Sequence, residues 1–183
     1  MSDVVDNLLS QAAQARRDHR LSDAKRDLLE AVDLCRKAGT RMKLASALTS
    51  LGQIERDLQE KESPRQHYEE AVAIYRVEGD LLKLAHTIRH VGDILRHEGQ
   101  RELAERSYRE ALSLYRGDER TPPLDLANAL RGFAILQDDA GEIEEARSLW
   151  EEARGLYAAV KVEAGVVESS RRLALLGRQE PGE

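Results

Sequence analysis

The chain has 183 residues, of which 41% are hydrophobic, 34% are charged and 4% are aromatic, and its formal net charge is −6. This composition is typical of proteins built from helices rich in Ala, Leu, Glu and Arg, and it excludes a compact aromatic core. The negative charge argues against non-specific nucleic-acid binding, which usually requires a basic domain.

The sequence indicates a soluble, cytoplasmic protein. Cys35 is the single cysteine, which excludes an internal disulfide framework and is compatible with a reducing compartment. The N-terminal segment carries Asp3, Asp6 and Arg16 and has no apolar run of signal-peptide length. No later stretch approaches the ~20 apolar residues that span a bilayer, so we expect no membrane association.

An internal repeat runs along the chain. Three segments are variants of one nine-residue phrase: LASALTSLG (44–52), LAHTIRHVG (84–92) and LANALRGFA (126–134). Their last residues, with one alanine before them and one after, are spaced 40, 40, 42 and 40 residues apart: Ala12, Gly52, Gly92, Ala134 and Ala174. A fixed period of this length predicts stacked supersecondary units, each covering the apolar face of its neighbour.

A second phrase recurs within each period. Large side chains at 28, 68, 108 and 150 are followed three residues later by alanine and seven residues later by Cys35, Tyr75, Tyr115 and Tyr157. This alternation of large and small groups on one helix face lets neighbouring helices approach closely. Cys35 is therefore interpreted as a buried, inert core residue.

Each period thus predicts an antiparallel pair of helices, within one domain over 1–183. The predicted pairs cover about 3–38, 41–78, 81–117 and 122–160, and a capping helix covers about 162–177. Gly39-Thr40 and Gly79-Asp80 mark boundaries between repeats, each with a left-handed stop and a capping side chain. Thr121-Pro122 is interpreted as an N-cap followed by proline at the first helical position, and 179–183 as a frayed tail.

The repeats resemble those of tetratricopeptide repeat (TPR) proteins. The third repeat matches best, with the family's residues in order and spacing: Val91-Gly92, Leu95, Gly99, Ala104, Tyr108 and Ala111. The second departs at Pro64 and the first at Ala12. The longer period resembles the extended subclass of kinesin light chains and many bacterial regulators. The resemblance implies an all-α fold, a right-handed α-solenoid of four repeats plus the capping helix, whose first helices line a concave, partner-binding groove.

Arginines repeat along the first helices in two rows. One row is Arg16, Arg56 and Arg96, and the other is Arg89, Arg131 and Arg171. Guanidinium groups in a groove suit carboxylates, so an acidic peptide or a C-terminal carboxylate is the leading ligand class. Gln53 and Asn128 could hydrogen-bond the peptide backbone. Alternatively, the arginines pair internally with Asp57, Asp93, Asp138 and Asp139.

Histidines line one face of the third repeat's first helix, at His86, His90 and His97, together with Asp93. Two histidines one turn apart suit a divalent metal, but His86 and His97 lie ~16 Å apart along a helix. We interpret the face as polar groove lining that gains positive charge on protonation, with no metal and no cofactor.

No pattern of catalytic residues stands out, because the sequence has no glycine-rich phosphate loop, Ser/His/Asp set or CxxC motif. Glutamates that repeat at 30, 70, 110 and 152 are interpreted as outer-face or intra-repeat ion-pair residues. The sequence therefore predicts a non-catalytic interaction module rather than an enzyme.

We expect a scaffold or adaptor that binds a protein or peptide segment in the groove. The predicted contact residues are Gln53, Arg56, His86, Arg89, His90, Asp93, Arg96, Asn128 and Arg131. One alternative is a peptide-sensing regulatory module that acts on a separate partner. Another is a homodimer formed through the solenoid ends, where the N-terminal helix offers Val4, Val5, Leu8 and Leu9.

Overall fold

The computed structural model describes residues 2–60 and 63–178, and this part of the chain folds into nine α-helices. The helices are α1 (Ser2–Arg17), α2 (Leu21–Ala38), α3 (Arg41–Asp57), α4 (Ser63–Glu78), α5 (Leu81–His97), α6 (Arg101–Arg116), α7 (Pro123–Asp139), α8 (Ile143–Ala159) and α9 (Glu163–Leu176). We call α1, α3, α5, α7 and α9 the first helices, and α2, α4, α6 and α8 the second helices. The predicted tail, 179–183, lies outside the described residues.

The helices group into two compact units, and the division falls inside α5. Unit 1 is Met1–Thr87 and unit 2 is Ile88–Glu183. In unit 1, α1 packs against α2, α2 against α3, and α3 against α4; in unit 2, α6 packs against α7, α7 against α8, and α8 against α9. The organisation of 1–183 as one domain stays a prediction.

Unit 1 has its core between first and second helices. Leu28, Leu48 and Tyr68 are almost fully buried there. A Cβ at Gly52 would lie 3.0 Å from the Tyr68 ring, so the missing side chain lets the ring lie flat against α3. The spacing of large and small groups that predicted the repeat therefore fills this core.

Unit 2 repeats this packing with larger rings. Trp150 and Tyr108 are fully buried, and the rings of Tyr108 and Phe133 stack with their centroids 5.9 Å apart. Cβ atoms at Gly92 and Gly132 would both crowd Tyr108, from α5 and from α7. One tyrosine thus packs between two first helices, because both offer glycine at the contact.

The turns inside the helix pairs share one left-handed position. The residues at this position are His19, Gln59, Gly99 and Gly141, spaced 40, 40 and 42 residues apart. Their φ values are positive, at 58°, 62°, 72° and 77°. Only the last two are glycines. Gly99 and Gly141 take this conformation without steric cost, whereas nothing in the side chains of His19 and Gln59 indicates a left-handed residue.

Replacing Gln59 by glycine is expected to stabilise the protein by about 1 kcal/mol. A side chain with a Cβ costs about that much in the left-handed region, and glycine removes the clash. Urea unfolding followed by circular dichroism measures the change. Gln11→Gly, at an exposed position inside α1, is the matched control and should destabilise by about 1 kcal/mol.

The predicted boundaries between repeats hold in part. Gly39 and Gly79 have positive φ, and the Asp80 carboxylate accepts a hydrogen bond from the Lys83 amide at 3.1 Å. The capping role predicted for Thr40 is wrong. Its ψ of 79° departs from the extended backbone of an N-cap, and its hydroxyl forms no cap hydrogen bond.

The predicted start of α7 is displaced by one residue. The helix begins at Pro123, and Pro122 is extended, with φ −62° and ψ 127°. A residue that precedes proline avoids the helical region, which explains the shift. The Thr121 hydroxyl donates a hydrogen bond to the Tyr115 carbonyl at 2.7 Å and therefore does not cap α7.

The N-terminal helix uses most of its apolar side chains internally. Val5 and Leu8 are buried, whereas Val4 is half-exposed. Little of the apolar surface that suggested an N-terminal homodimer is therefore available. None of the helices in the described part of the chain combines the length and apolarity that a membrane crossing demands.

Candidate functional site

In unit 1, polar side chains form a line across three first helices. The Arg16 guanidinium donates to the Gln53 amide oxygen at 3.0 Å and to the Asp57 carboxylate at 2.9 Å. The Gln53 amide nitrogen lies 3.2 Å from His86 Nε2. Because an amide nitrogen can only donate, His86 accepts this bond at Nε2. Gln53 and His86, two predicted site residues, are thus brought together, and Arg56 lies partly exposed on α3.

Unit 1 also buries a carboxylate that the sequence analysis overlooked. The Glu55 side chain is 2% exposed, and its carboxylate lies 2.8 Å from His67 Nδ1 and 3.5 Å from Lys25 Nζ. The Lys25 ammonium also donates to Glu60 at 2.6 Å. These residues join α2, α3, α4 and the turn after α3, so the cluster holds unit 1 together rather than facing a ligand.

In unit 2, Asp93 is the centre of a hydrogen-bond network. Its carboxylate accepts from Arg89 Nη1 at 2.9 Å and from the Tyr108 hydroxyl at 2.8 Å. The side chains of Arg89 and Asp93 are only 12% and 16% exposed. Gly132 lies so close that a Cβ there would be 3.1 Å from the Asp93 carboxylate. The network therefore links α5, α6 and α7.

The tautomer of His90 follows from its neighbours. The Arg89 guanidinium, which can only donate, lies 2.8 Å from His90 Nε2, so this nitrogen accepts. The proton of the neutral ring is then on Nδ1, which faces the Asp93 carboxylate at 3.7 Å. Protonation of His90 would place an N–H group at Nε2 directly against the N–H groups of the Arg89 guanidinium.

The electrostatics of the network keep Asp93 ionised. Burial alone would raise the pKa of the Asp93 carboxyl, but the nearby N–H group of His90 and the charge of Arg89 together hold it well below its usual range. Burial, with the charge of Asp93, raises the pKa of the Tyr108 hydroxyl. Arg89, His90 and Asp93 are thus engaged in structure.

Two predicted arginines of unit 2, Arg89 and Arg131, pair with a carboxylate, and Arg131 on α7 is the more exposed of the two. Its guanidinium donates two hydrogen bonds to Glu168 on α9, at 2.6 Å and 2.7 Å, and 41% of its side chain is exposed. The bond to Glu168 raises the pKa of Arg131. This bidentate arrangement is the geometry in which arginine recognises a carboxylate.

The remaining predicted residues of unit 2 have polar neighbours of their own. The Tyr157 hydroxyl donates to the Asn128 amide oxygen at 2.8 Å. This bond leaves the amide nitrogen of Asn128 for another acceptor, as its predicted role in backbone recognition requires. The guanidinium of Arg96 lies 3.1 Å from His97 Nε2.

Several arginines of the two predicted rows form ion pairs with carboxylates of the same chain, as the alternative interpretation predicted. Arg16 pairs with Asp57, Arg89 with Asp93, and Arg131 with Glu168. Asp138 pairs with Arg172. Such pairs at the surface contribute about 0–1 kcal/mol, whereas the buried Arg89–Asp93 pair is a structural element.

The intra-repeat interpretation is wrong for two of the repeated glutamates. Glu70 pairs with Arg36 at 2.7 Å, and Glu152 pairs with Arg116 at 2.6 Å. Each pair joins second helices of successive repeats, so these ion pairs are between repeats and not within them.

Glu168 and the tyrosine hydroxyls are the site residues that the sequence analysis missed. Glu168 follows Arg131 by 37 residues, the same offset that separates Arg16 from Gln53. Tyr75 contacts Ser46, and Tyr157 contacts Asn128, each at an offset of 29 residues. A search for polar pairs at these two offsets would have found them.

The site offers hydrogen-bond donors that suit an anionic ligand. Within residues 2–60 and 63–178, no group of three or more His, Cys, Asp or Glu side chains is placed to hold a metal ion. Cys35 is buried in the core.

The fold and this polar surface define the class of protein. Paired helices with a period of about forty residues, and rings packed against glycines of the first helices, are those of TPR-like helical-repeat proteins. The predicted class and the predicted all-α helical-repeat fold are therefore confirmed. The family model of the soluble NSF attachment protein, SNAP, matches residues 2–161, and the chain belongs to this family. A comparison with curated proteins finds no match.

Solved structures with TPR-like repeats are similar in fold. BtubC (BKLC) from P. vanneervenii matches with a TM-score of 0.76 and 18% identity over 86% of this chain. This chain covers only 64% of the length of BtubC. Two structures of TPR-like repeats assigned to a kinesin light chain of Podosopora anserina match with TM-scores of 0.75 and 0.69, at 13% and 12% identity. They cover 96% and 97% of this chain, and it covers 88% and 97% of them.

Proposed function

We propose that this protein is a non-catalytic interaction scaffold that binds a segment of a partner protein along its first helices. The family description names an attachment protein for NSF, and a protein partner is what we propose for this chain. In unit 1 the proposed contacts are Gln53, Arg56 and His86. In unit 2 they are Arg131, Asn128 and Arg96, while Arg89, His90 and Asp93 hold α5 in position.

The ligand that we propose is an acidic segment, and the Arg131–Glu168 pair carries this proposal. Two short hydrogen bonds place a carboxylate in the guanidinium fork of Arg131, on a half-exposed surface. An exposed pair of this kind contributes at most about 1 kcal/mol. A partner's carboxylate can therefore replace Glu168 at little cost and gain the same bidentate geometry.

Variants of this pair are expected to change partner binding in opposite directions. Arg131→Gln should weaken binding of an acidic segment about 10-fold, because it removes the guanidinium and leaves the Glu168 carboxylate to repel the segment, and like-charge contacts across an interface cost on the order of a few kcal/mol. Glu168→Gln should strengthen it, because the internal competitor loses its charge. Affinity capture from a native extract, followed by calorimetry on the captured partner's mapped segment, measures both effects.

The matched control is Arg109→Gln on the second helix α6. Arg109 is also about half-exposed and also pairs with glutamates, Glu105 and Glu145. The proposal requires that this variant retain the partner. Equal retention by Arg131→Gln and Arg109→Gln, with unchanged helicity and melting, would remove Arg131 from the binding surface.

A further inference from the structure

One face of α9 stays exposed although it carries apolar side chains. Val167 is 67% exposed and Leu175 is 42% exposed. A groove of about 690 Å³ runs along this face. A second groove of about 420 Å³ is lined by the apolar residues Ala158, Val166 and Val167 and by the charged residues Lys161 and Glu163. Val167 thus lines both grooves, and side chains of another molecule would fit into the grooves on either side of it.

Four charged side chains line the first groove, and two of them, Glu168 and Arg172, form ion pairs with Arg131 and Asp138. The other two lie symmetrically about Val167. Glu163 lies four residues before it and Arg171 four residues after it, so each is ~6 Å away along the helix axis. Neither Glu163 nor Arg171 has an ion-pair partner within the part of the chain that the structure describes. Both side chains are exposed, so each can form an ion pair with another molecule.

We propose that two copies of the chain associate through this face, with their α9 helices antiparallel about a twofold axis at Val167. In this arrangement Val167 packs on Val167 of the second copy. Each Glu163 then faces Arg171 of the other copy, which gives two equivalent ion pairs. A parallel arrangement would instead place glutamate against glutamate and arginine against arginine, so the charges select the antiparallel one.

The second groove fits the same arrangement. Leu175 lies eight residues, ~12 Å, beyond Val167 along the axis. Around the twofold axis it reaches the end of α8 and the start of α9 in the other copy, where Ala158 and Val166 line the groove. The exposed apolar side chains, the positions of Glu163 and Arg171 and the two grooves thus all suit the same partner, a second copy of the chain.

The size of the face determines how strong the association is. The 14 residues of α9 extend over only ~21 Å. Stable interfaces bury about 800 Å² on each partner, more than one such helix face provides. We therefore expect a weak dimer with a Kd on the order of 10–100 µM, so that sedimentation equilibrium across this range shows monomer passing into dimer.

Val167→Glu should abolish the dimer, because it places two carboxylates together at the axis. Val77→Glu is the matched control, since Val77 is 70% exposed and belongs to α4 in unit 1, whereas α9 belongs to unit 2. It should leave the monomer–dimer equilibrium unchanged. A wild type that stays monomeric at several hundred micromolar, or a Val167→Glu variant that dimerises normally, would overturn the proposal.

Charge exchange separates the proposed contact from an effect on folding. Glu163→Arg alone and Arg171→Glu alone should each raise the Kd at least ~10-fold, because each creates like-charged contacts at both sites. Mixed in equal amounts, the two variants restore both ion pairs and should form a heterodimer with nearly the wild-type Kd. A mixture that stays monomeric contradicts the twofold arrangement, as does growth beyond the dimer, which would indicate head-to-tail contact.

Discussion

Replacing Asp93 by alanine is expected to destabilise the protein by about 3–5 kcal/mol. The change leaves the Arg89 guanidinium and the Tyr108 hydroxyl without their carboxylate in a site where both are largely buried. Breaking a buried ion pair by removing one partner costs this much, because the remaining charge stays desolvated. Urea unfolding followed by circular dichroism measures the loss.

An exposed pair provides the control for Asp93. Asp57 accepts from Arg16 at a similar distance, but these side chains are 34% and 43% exposed. Asp57→Ala should therefore cost no more than about 1 kcal/mol. Similar losses at Asp57 and Asp93 would show that the network around Asp93 is not the buried structural element described above.

The same interaction makes a prediction about pH. The pKa of Asp93 is lower in the folded than in the unfolded state, so its ionised form stabilises the fold above the unfolded pKa of about 3.9. The difference in stability between wild type and Asp93→Ala should thus be constant from about pH 5 to pH 8. It should shrink as the pH falls below about 4, towards the folded pKa.

Replacing Gly165 by alanine is expected to destabilise the protein by about 2–3 kcal/mol, although alanine is normally the better helix former. A Cβ at this position would lie 2.4 Å from Cγ of Tyr157, at the root of a buried ring that cannot swing away. Overpacking of this kind costs about 1–3 kcal/mol, more than the gain of about 1 kcal/mol in helix propensity.

Gly155 is the matched control, because it lies inside α8 and a Cβ there meets nothing within 4 Å. Gly155→Ala should stabilise the protein by about 0.5–1 kcal/mol. Thermal unfolding of both variants tests the opposite signs. If both substitutions stabilise, α9 is not packed on Tyr157 as closely as the structure has it.

The repeat could be predicted from the sequence because it is encoded in side-chain size. The first phrase ends in glycine or alanine and the second carries a large ring, so the ring of one helix can pack against the small residue of the other. The Gly52–Tyr68 and Gly92–Tyr108 contacts have this arrangement. Left-handed turns could be predicted only where the residue is glycine. At Gln59 the surrounding helices impose the conformation, and no local pattern records it.

The candidate site was harder to predict, because single-helix patterns do not show which charges meet across helices. Two interpretations of Arg131 were open, and its pairing depends on Glu168, 37 residues away on another helix. Asp93 could be seen as a neighbour of Arg89 by spacing alone. That Tyr108 also contacts Asp93 depends on packing in three dimensions, since they lie 15 residues apart on different helices.

The most direct test of a partner segment on the first helices is site-specific photo-crosslinking in a native extract. A photoreactive phenylalanine derivative is placed at Asn128, on the first helix α7, and at Ser113, on the exposed side of the second helix α6. We predict a crosslinked partner from position 128, lost when Arg131→Gln is added, and none from position 113. Crosslinking from position 113 alone would contradict binding along the first helices.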